Sequence, residues 1–150
     1  MAADAAAMRA LVRAAYQRYV PRMGREPAPM VADYDEVVVR GHSWVAEIDN
    51  QLVGVLVLEP ADDHLLLYNI AVRPDRHGRG IGGRLLRLAE EQARVLGLPE
   101  VRLFTHETMT ANIAYYPRRG YRETHREGQD GYSRVFFSRA LPNPPSAPAG

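Results

Sequence analysis
The chain has 150 residues, 46% of them hydrophobic, with 19 basic and 18 acidic side chains and a formal charge of +1, the length of one ordinary domain. It has no cysteine, which excludes a disulfide framework, a thiol nucleophile and a thiolate metal site. All 19 cations are arginine, which excludes a P-loop lysine and a Schiff base; arginines and acids interleave, so nucleic acid is not an expected partner.

Met8, Leu11, Val12, Ala15, Tyr16 and Tyr19 recur at helical spacing and predict an amphipathic helix ending near Pro21. Arg9 and Arg13 interrupt the alanine-rich start, so it does not read as an export signal. Residues 22–29, with Gly24, Pro27 and Pro29, predict a loop. Met30, Val31, Tyr34, Val37 and Val38 form a second helical stripe with Gly41 as its stop. Residues 44–48 and 52–59 then predict an antiparallel hairpin around Asp49 and Asn50. The longest apolar run, 52–58, is far too short to span a bilayer, so a cytoplasmic protein without a membrane partner is expected. Residues 65–72 predict a third strand.

A glycine-rich loop over 76–83 follows and leads into a helix that begins near Ile81 and runs to about Leu96, with Leu85, Leu88, Ala89 and Gln92 on one stripe. Residues 101–105 predict the next strand, and strand–helix–strand in one sheet implies a parallel pair with a right-handed crossover. A short helix over 112–119 closes at Gly120, and 121–126 with 132–141 form a last hairpin around 128–131. Residues 142–150, rich in Pro, Ala and Ser, predict a disordered tail after a single domain spanning 1–141. The expected fold is α/β (α+β): a mixed, mostly antiparallel twisted sheet with a central parallel strand pair, flanked by helices.

Gly78, Gly80, Gly82 and Gly83 sit where a strand meets a helix. Without Cβ atoms several backbone N–H groups can approach one anion, and the helix start adds its unpaired N–H groups and positive dipole end. A phosphate or pyrophosphate is the natural ligand, with Arg76 and Arg79 adding charge. Gly78, Gly80 and Gly83 also satisfy the dinucleotide pattern G-x-G-x-x-G, with Glu107 as a ribose acid. The spacer 73–77, the hairpin that precedes the unit and the short remaining chain all weigh against that alternative.

Asn69-Ile70-Ala71-Val72-Arg73-Pro74 followed by Gly78-Arg79-Gly80-Ile81-Gly82, and later NIAYYPRRGY from Asn112 to Tyr121, resemble the two signatures of the GNAT superfamily of N-acetyltransferases, as in its small stand-alone bacterial-type members. The resemblance is strong over 44–141 and looser over the first two helices. It implies an acyl-CoA N-acyltransferase fold and transfer of an acetyl group from acetyl-CoA, as cosubstrate, to an amine. It assigns the pyrophosphate to His77, Gly78, Arg79, Gly80, Ile81, Gly82 and Gly83. The pantetheine arm and thioester carbonyl fall to the backbone of Ile70, Ala71 and Val72, and protonation of the departing thiolate to Tyr116. Tyr115 beside it is then structural. Asn112 matches a residue that contacts the CoA arm; read from the residues alone it is equally a helix N-cap.

This chain departs from the family in three places. His77 stands where Gln or Arg is usual. The strand that usually precedes the first helix is missing, which leaves a sheet edge that invites a second copy to form a homodimer. Tyr68 and Asn69 stand where many members carry a carboxylate. The last departure supports an alternative of a non-catalytic CoA-binding regulatory module. Glu59, His64, His106 and Glu107 lie near strand ends, and none is singled out as the base. His42, His77 and His125 lack zinc-site spacing, so no metal is expected. Arg118, Arg119 and Arg122 read as a solvated cluster. The acceptor pocket implied by the resemblance, lined by 22–29 and 127–131, carries both signs of charge.

Overall fold
The computed structural model describes residues 2–17, 20–23, 33–76, 80–129 and 132–141. The elements are α1 (Ala2–Tyr16), α2 (Val20–Met23), α3 (Tyr34–Arg40), β1 (Ser43–Ile48), β2 (Gln51–Pro60), β3 (Leu65–Val72), a 3-10 turn (Pro74–Arg76), α4 (Ile81–Val95), β4 (Glu100–His106), α5 (Thr110–Arg118), β5 (Arg122–Gln129) and β6 (Tyr132–Ala140). The strands form one mixed sheet in the order β1-β2-β3-β4-β6-β5, with one parallel pair and flanking helices, which is the expected fold class. The expected tail, 142–150, and the loop positions 24–29 lie outside the described residues, as do Met30 and Val31 of the second stripe. The loop expected from residue 22 is helical at its start, because α2 runs through Met23.

The chain divides into two compact units, Met1–Glu59 with Leu67–Ala89, and Pro60–Leu66 with Glu90–Gly150. In the first unit, Ala5, Met8, Leu11, Val12 and Ala15 of α1 pack with Tyr34 and Val37 of α3 and with Val55, Val57 and Ala71 of β2 and β3. Helix α3 starts later than its apolar stripe suggested because Asp33 caps it, its Oδ1 accepting from the N–H groups of Asp35 and Glu36 at 3.1 and 3.3 Å. The β1–β2 turn places Asp49 and Asn50 at φ 53 and 64, the left-handed pair that a tight hairpin demands. Gly54 of β2 is buried under α4: a Cβ there would lie 3.0 Å from Leu85 Cδ1, 3.2 Å from Ile81 Cγ2 and 3.3 Å from Ala46 Cβ.

In the second unit, β6 pairs antiparallel with β4 and β5, with Leu103 opposite Phe137 and Phe104 opposite Phe136. Alternation buries Val101, Leu103, Thr105, Val135 and Phe137, while Arg102, Phe104, Arg134 and Phe136 are half-buried. Helix α5 ends in a Schellman motif. Gly120, at φ 89, donates to Pro117 O at 3.2 Å and Tyr121 N donates to Tyr116 O at 3.1 Å. The rings of Tyr116 and Tyr121 supply the apolar contact that accompanies it, with centroids 5.8 Å apart.

Replacing Gly54 with alanine overpacks this contact. The expected loss is about 1–2 kcal/mol, read as a fall of roughly 2–6 °C in the thermal midpoint. An unchanged midpoint by calorimetry would contradict the close packing.

Candidate active site
Strand β3 leaves the first unit's sheet through a bonded turn. Arg73 N donates to Val53 O at 2.9 Å, and Arg76 N donates to Arg73 O at 2.9 Å. The Arg73 guanidinium holds Asp75 at 2.8 and 3.1 Å and Gln51 at 3.1 Å. Within the spacer that weighs against a dinucleotide loop, Pro74–Arg76 form a 3-10 turn. It leaves the Arg76 Nε buried and without a hydrogen-bond partner among the described residues.

His77, Gly78 and Arg79 lie outside the described residues. Gly80 opens α4 at φ 79, in the left-handed region that favours glycine, and its carbonyl accepts from Arg84 N at 3.1 Å. The N–H groups of Ile81, Gly82 and Gly83 thus precede the first intrahelical bond and face the positive end of the dipole. Among the described residues a Cβ on Gly80 would meet nothing within 4 Å, and one on Gly82 would meet Val72 Cγ2 at 3.8 Å. This open backbone and the unpartnered Arg76 nitrogen suit an anionic phosphate group. The Ile81 side chain is buried against Gly54, so that residue has only its backbone to offer a ligand. Of the β3 positions, Ile70 and Val72 are half-buried and Ala71 is buried; Tyr16 Oη lies 3.5 Å from Ile70 O.

Asn69 is enclosed, 1% exposed. Tyr16 donates its hydroxyl to Asn69 Oδ1 at 2.9 Å, and Asn69 Nδ2 donates to Tyr34 Oη at 3.2 Å. Burial pushes the Tyr34 hydroxyl well above its ordinary pKa. An amide held in this way cannot take a proton, so β3 supplies no base at this position. The tyrosine partners lie 53 and 35 residues away, where sequence reading counted them as apolar stripe positions.

The second unit carries Asn112 and Tyr116. The N-cap reading of Asn112 is corrected: α5 begins at Thr110 with Met109 as its cap residue. Asn112 sits in the first turn, where its Nδ2 donates to Thr105 Oγ1 at 3.2 Å and tethers α5 to β4. Tyr116 is 6% exposed, and its ring packs against Tyr115, Tyr121 and Phe137 at 5.4, 5.8 and 5.8 Å. Among the described residues no side-chain hydrogen bond reaches its hydroxyl. Burial first, and Tyr115 second, push that hydroxyl well above its ordinary pKa, so it stays protonated and keeps a hydrogen to donate. Tyr115 is half-buried beneath Arg119, whose Cζ stands 5.1 Å from the ring centroid, in keeping with a structural part.

Three of the four strand-end candidates, Glu59, His64 and His106, have other partners. Glu59 lies 3.7 Å from Arg40, and His64 Nδ1 lies 2.7 Å from Asp63. His106 Nδ1 accepts from Thr108 N at 3.1 Å, which leaves its proton on Nε2 in the neutral ring, and burial pushes its pKa down. Glu107 is exposed, as are Arg118, Arg119 and Arg122. No group of metal-binding side chains occurs among the described residues. The first unit therefore carries the backbone of 70–72 and of 80–83, with Gly82 against Val72, together with Arg76, and the second carries Asn112 and Tyr116 one turn apart on α5.

Residues 6–121 match the family model described as the Acetyltransferase (GNAT) family. The chain belongs to the GNAT acetyltransferase family. It is 33% identical over 107 residues to N-acetyltransferase family 8 member 3 of Rattus norvegicus, covering 67% of this chain and 45% of that relative. The GNAT chain thus spans about half the length of the curated relatives it matches. In fold it is similar to a putative acetyltransferase of the GNAT family from Desulfovibrio desulfuricans, with TM-score 0.76, 21% identity and coverage of 93% of this chain and 94% of that one. It is also similar to a GNAT family acetyltransferase from Elizabethkingia anophelis with acetyl-CoA bound, with TM-score 0.61, 23% identity and coverage of 71% and 80%. Among the described residues no helix is long and apolar enough to cross a membrane.

The raised Tyr116 pKa has a spectroscopic consequence. Alkaline titration of tyrosinate absorbance should give the same step near pH ~10 in the native chain and in Tyr116→Phe, because Tyr116 ionises only on unfolding. A step smaller by one tyrosine in the variant would contradict this.

Proposed function
We propose that this GNAT domain is an acetyl-CoA-dependent N-acetyltransferase acting by direct attack of a small-molecule or peptide amine. The observation that carries the reading is the start of α4. Three backbone N–H groups follow the left-handed Gly80 there, ahead of the first intrahelical bond, and among the described residues a Cβ on Gly80 would meet nothing within 4 Å. A pyrophosphate is the ligand such a cradle would hold. The cytoplasm, where acetyl-CoA is plentiful, is the proposed setting.

Acetyl-CoA supplies an acyl group already activated as a thioester. The proposed work of the protein is to hold, polarise and donate. Backbone groups of Ile70, Ala71 and Val72 would bind the pantetheine arm, and a backbone N–H there would stabilise the oxyanion formed as the amine nitrogen adds to the carbonyl carbon. As the C–S bond breaks and the amide C–N bond remains, the Tyr116 hydroxyl would donate to the sulfur. The proton lost by the amine passes to water, since Asn69 offers no base and His106 keeps its free lone pair occupied. Because a thiol of pKa ~8.5 leaves readily and the Tyr116 pKa is raised, hydrogen bonding to the thiolate is favoured over full ionisation of the phenol. Asn112 would contact the CoA arm from the first turn of α5.

Steady-state acetylation across an amine panel tests the proposal. Tyr116→Phe should lower kcat roughly tenfold or more at unchanged KM for acetyl-CoA. Unchanged kcat would remove Tyr116 from the reaction. Saturable CoA binding without turnover of any amine would favour the non-catalytic binding module instead.

A further inference from the structure
Glu90 is a carboxylate sealed in the second unit, 6% exposed on a helix whose other acid, Glu91, is in solvent. Its two oxygens go to different partners. Oε2 accepts the Tyr121 hydroxyl at 2.9 Å, and Oε1 lies 3.0 Å from Arg139 Nη1. The same Arg139 nitrogen donates to Arg119 O at 3.2 Å, at the C-terminal end of α5. The guanidinium lies over Gly120, where a Cβ would stand 3.3 Å from Arg139 Nε. A buried acid is costly to desolvate, and apolar side chains of similar volume fill such a space at less cost. What an apolar residue would not do is grip the α5 terminus and the Tyr121 ring together.

That grip bears on Tyr116. Its hydroxyl has no side-chain hydrogen bond among the described residues, so its direction is set by the rings around it and by the helix that carries it. Tyr121 supplies one of those rings, and its N–H closes on the Tyr116 carbonyl at 3.1 Å. We propose that Glu90 is a positioning residue for the reaction. Through Tyr121 and Arg139 it fixes the end of α5, and with it the orientation of the Tyr116 hydroxyl. The inference rests on the proposed role of Tyr116.

The test is a double-mutant cycle in kcat, using Glu90→Gln, Tyr121→Phe, Tyr116→Phe and the two doubles that contain Tyr116→Phe. Tyr121→Phe keeps the ring and removes only its bond to Glu90, so it decides the matter if Glu90→Gln fails to fold. Each single change is expected to lower kcat by roughly tenfold with KM for acetyl-CoA unchanged, since small displacements at a reacting group are costly. Each double should be no slower than Tyr116→Phe alone. Wild-type kcat in Tyr121→Phe, or losses that multiply in the doubles, would overturn the inference while leaving Tyr116 in place. Wild-type kcat in Tyr116→Phe would overturn both. An activity-independent readout is 19F NMR of the full chain labelled with 3-fluorotyrosine. The Tyr116 line, assigned by its loss in Tyr116→Phe, should move in Glu90→Gln and Tyr121→Phe; an unmoved line overturns the proposal.

Discussion

Ile81 and Leu85 reach the sheet only because Gly54 has no side chain. With a built Cβ at 3.0 Å from Leu85 and 3.2 Å from Ile81, the first two turns of α4 lie on the backbone of β2 as closely as carbon atoms allow. That contact fixes where the helix begins. Its opening N–H groups, the left-handed Gly80 and the positive end of the dipole all take their position from it. An anion site made of backbone has no side chain to adjust, so its precision comes from how firmly the helix behind it is seated.

The polar chemistry of the chain is mostly neutral. Helix α4 offers amides, β3 offers peptide groups, Asn69 stands between two tyrosines where a carboxylate would ionise, and Tyr116 is held protonated by burial. Neutral donors suit a thioester, whose reaction needs a stabilised oxyanion and a hydrogen bond for sulfur more than a strong acid. The buried Glu90, with the half-buried Arg139, meets the end of α5, while the exposed pairs, such as Arg40 with Glu36 at 2.7 Å, lie in solvent where each contributes little.

The parts of the fold that show in the sequence are those set locally. The glycine-rich junction, the turn at Asp49 and Asn50, and the alternating β3 pattern follow from backbone sterics and period. The structure starts α4 at Ile81 after Gly80, turns β1 into β2 at Asp49 and Asn50, and runs β3 over Leu65–Val72, each within a residue or two of the pattern; 77–79 lie outside the described residues. The start of α3 was less legible because Tyr34, Val37 and Val38 continue an apolar stripe backward through Met30 and Val31, and only the Asp33 cap interrupts it. Asn112 looked like a cap because its residue type favours caps, yet its amide is used three residues into the helix. Glu90 was invisible for a different reason. An acid on an amphipathic helix normally faces water, and its cation lies on β6, 49 residues further along the chain. The tyrosine partners of Asn69 were hidden by the same long range.

The central claim, that the opening of α4 is a seat for the phosphates of coenzyme A, is tested most directly by ligand-dependent thermal stability of the full chain. Acetyl-CoA, CoA and NADH would each be titrated to saturation. A ligand at ~100 times its dissociation constant adds ~2.7 kcal/mol, enough to raise the midpoint by several degrees. The account predicts that acetyl-CoA and CoA both raise it and that NADH does not. A midpoint that moves with NADH alone, or with none of the three, would contradict it.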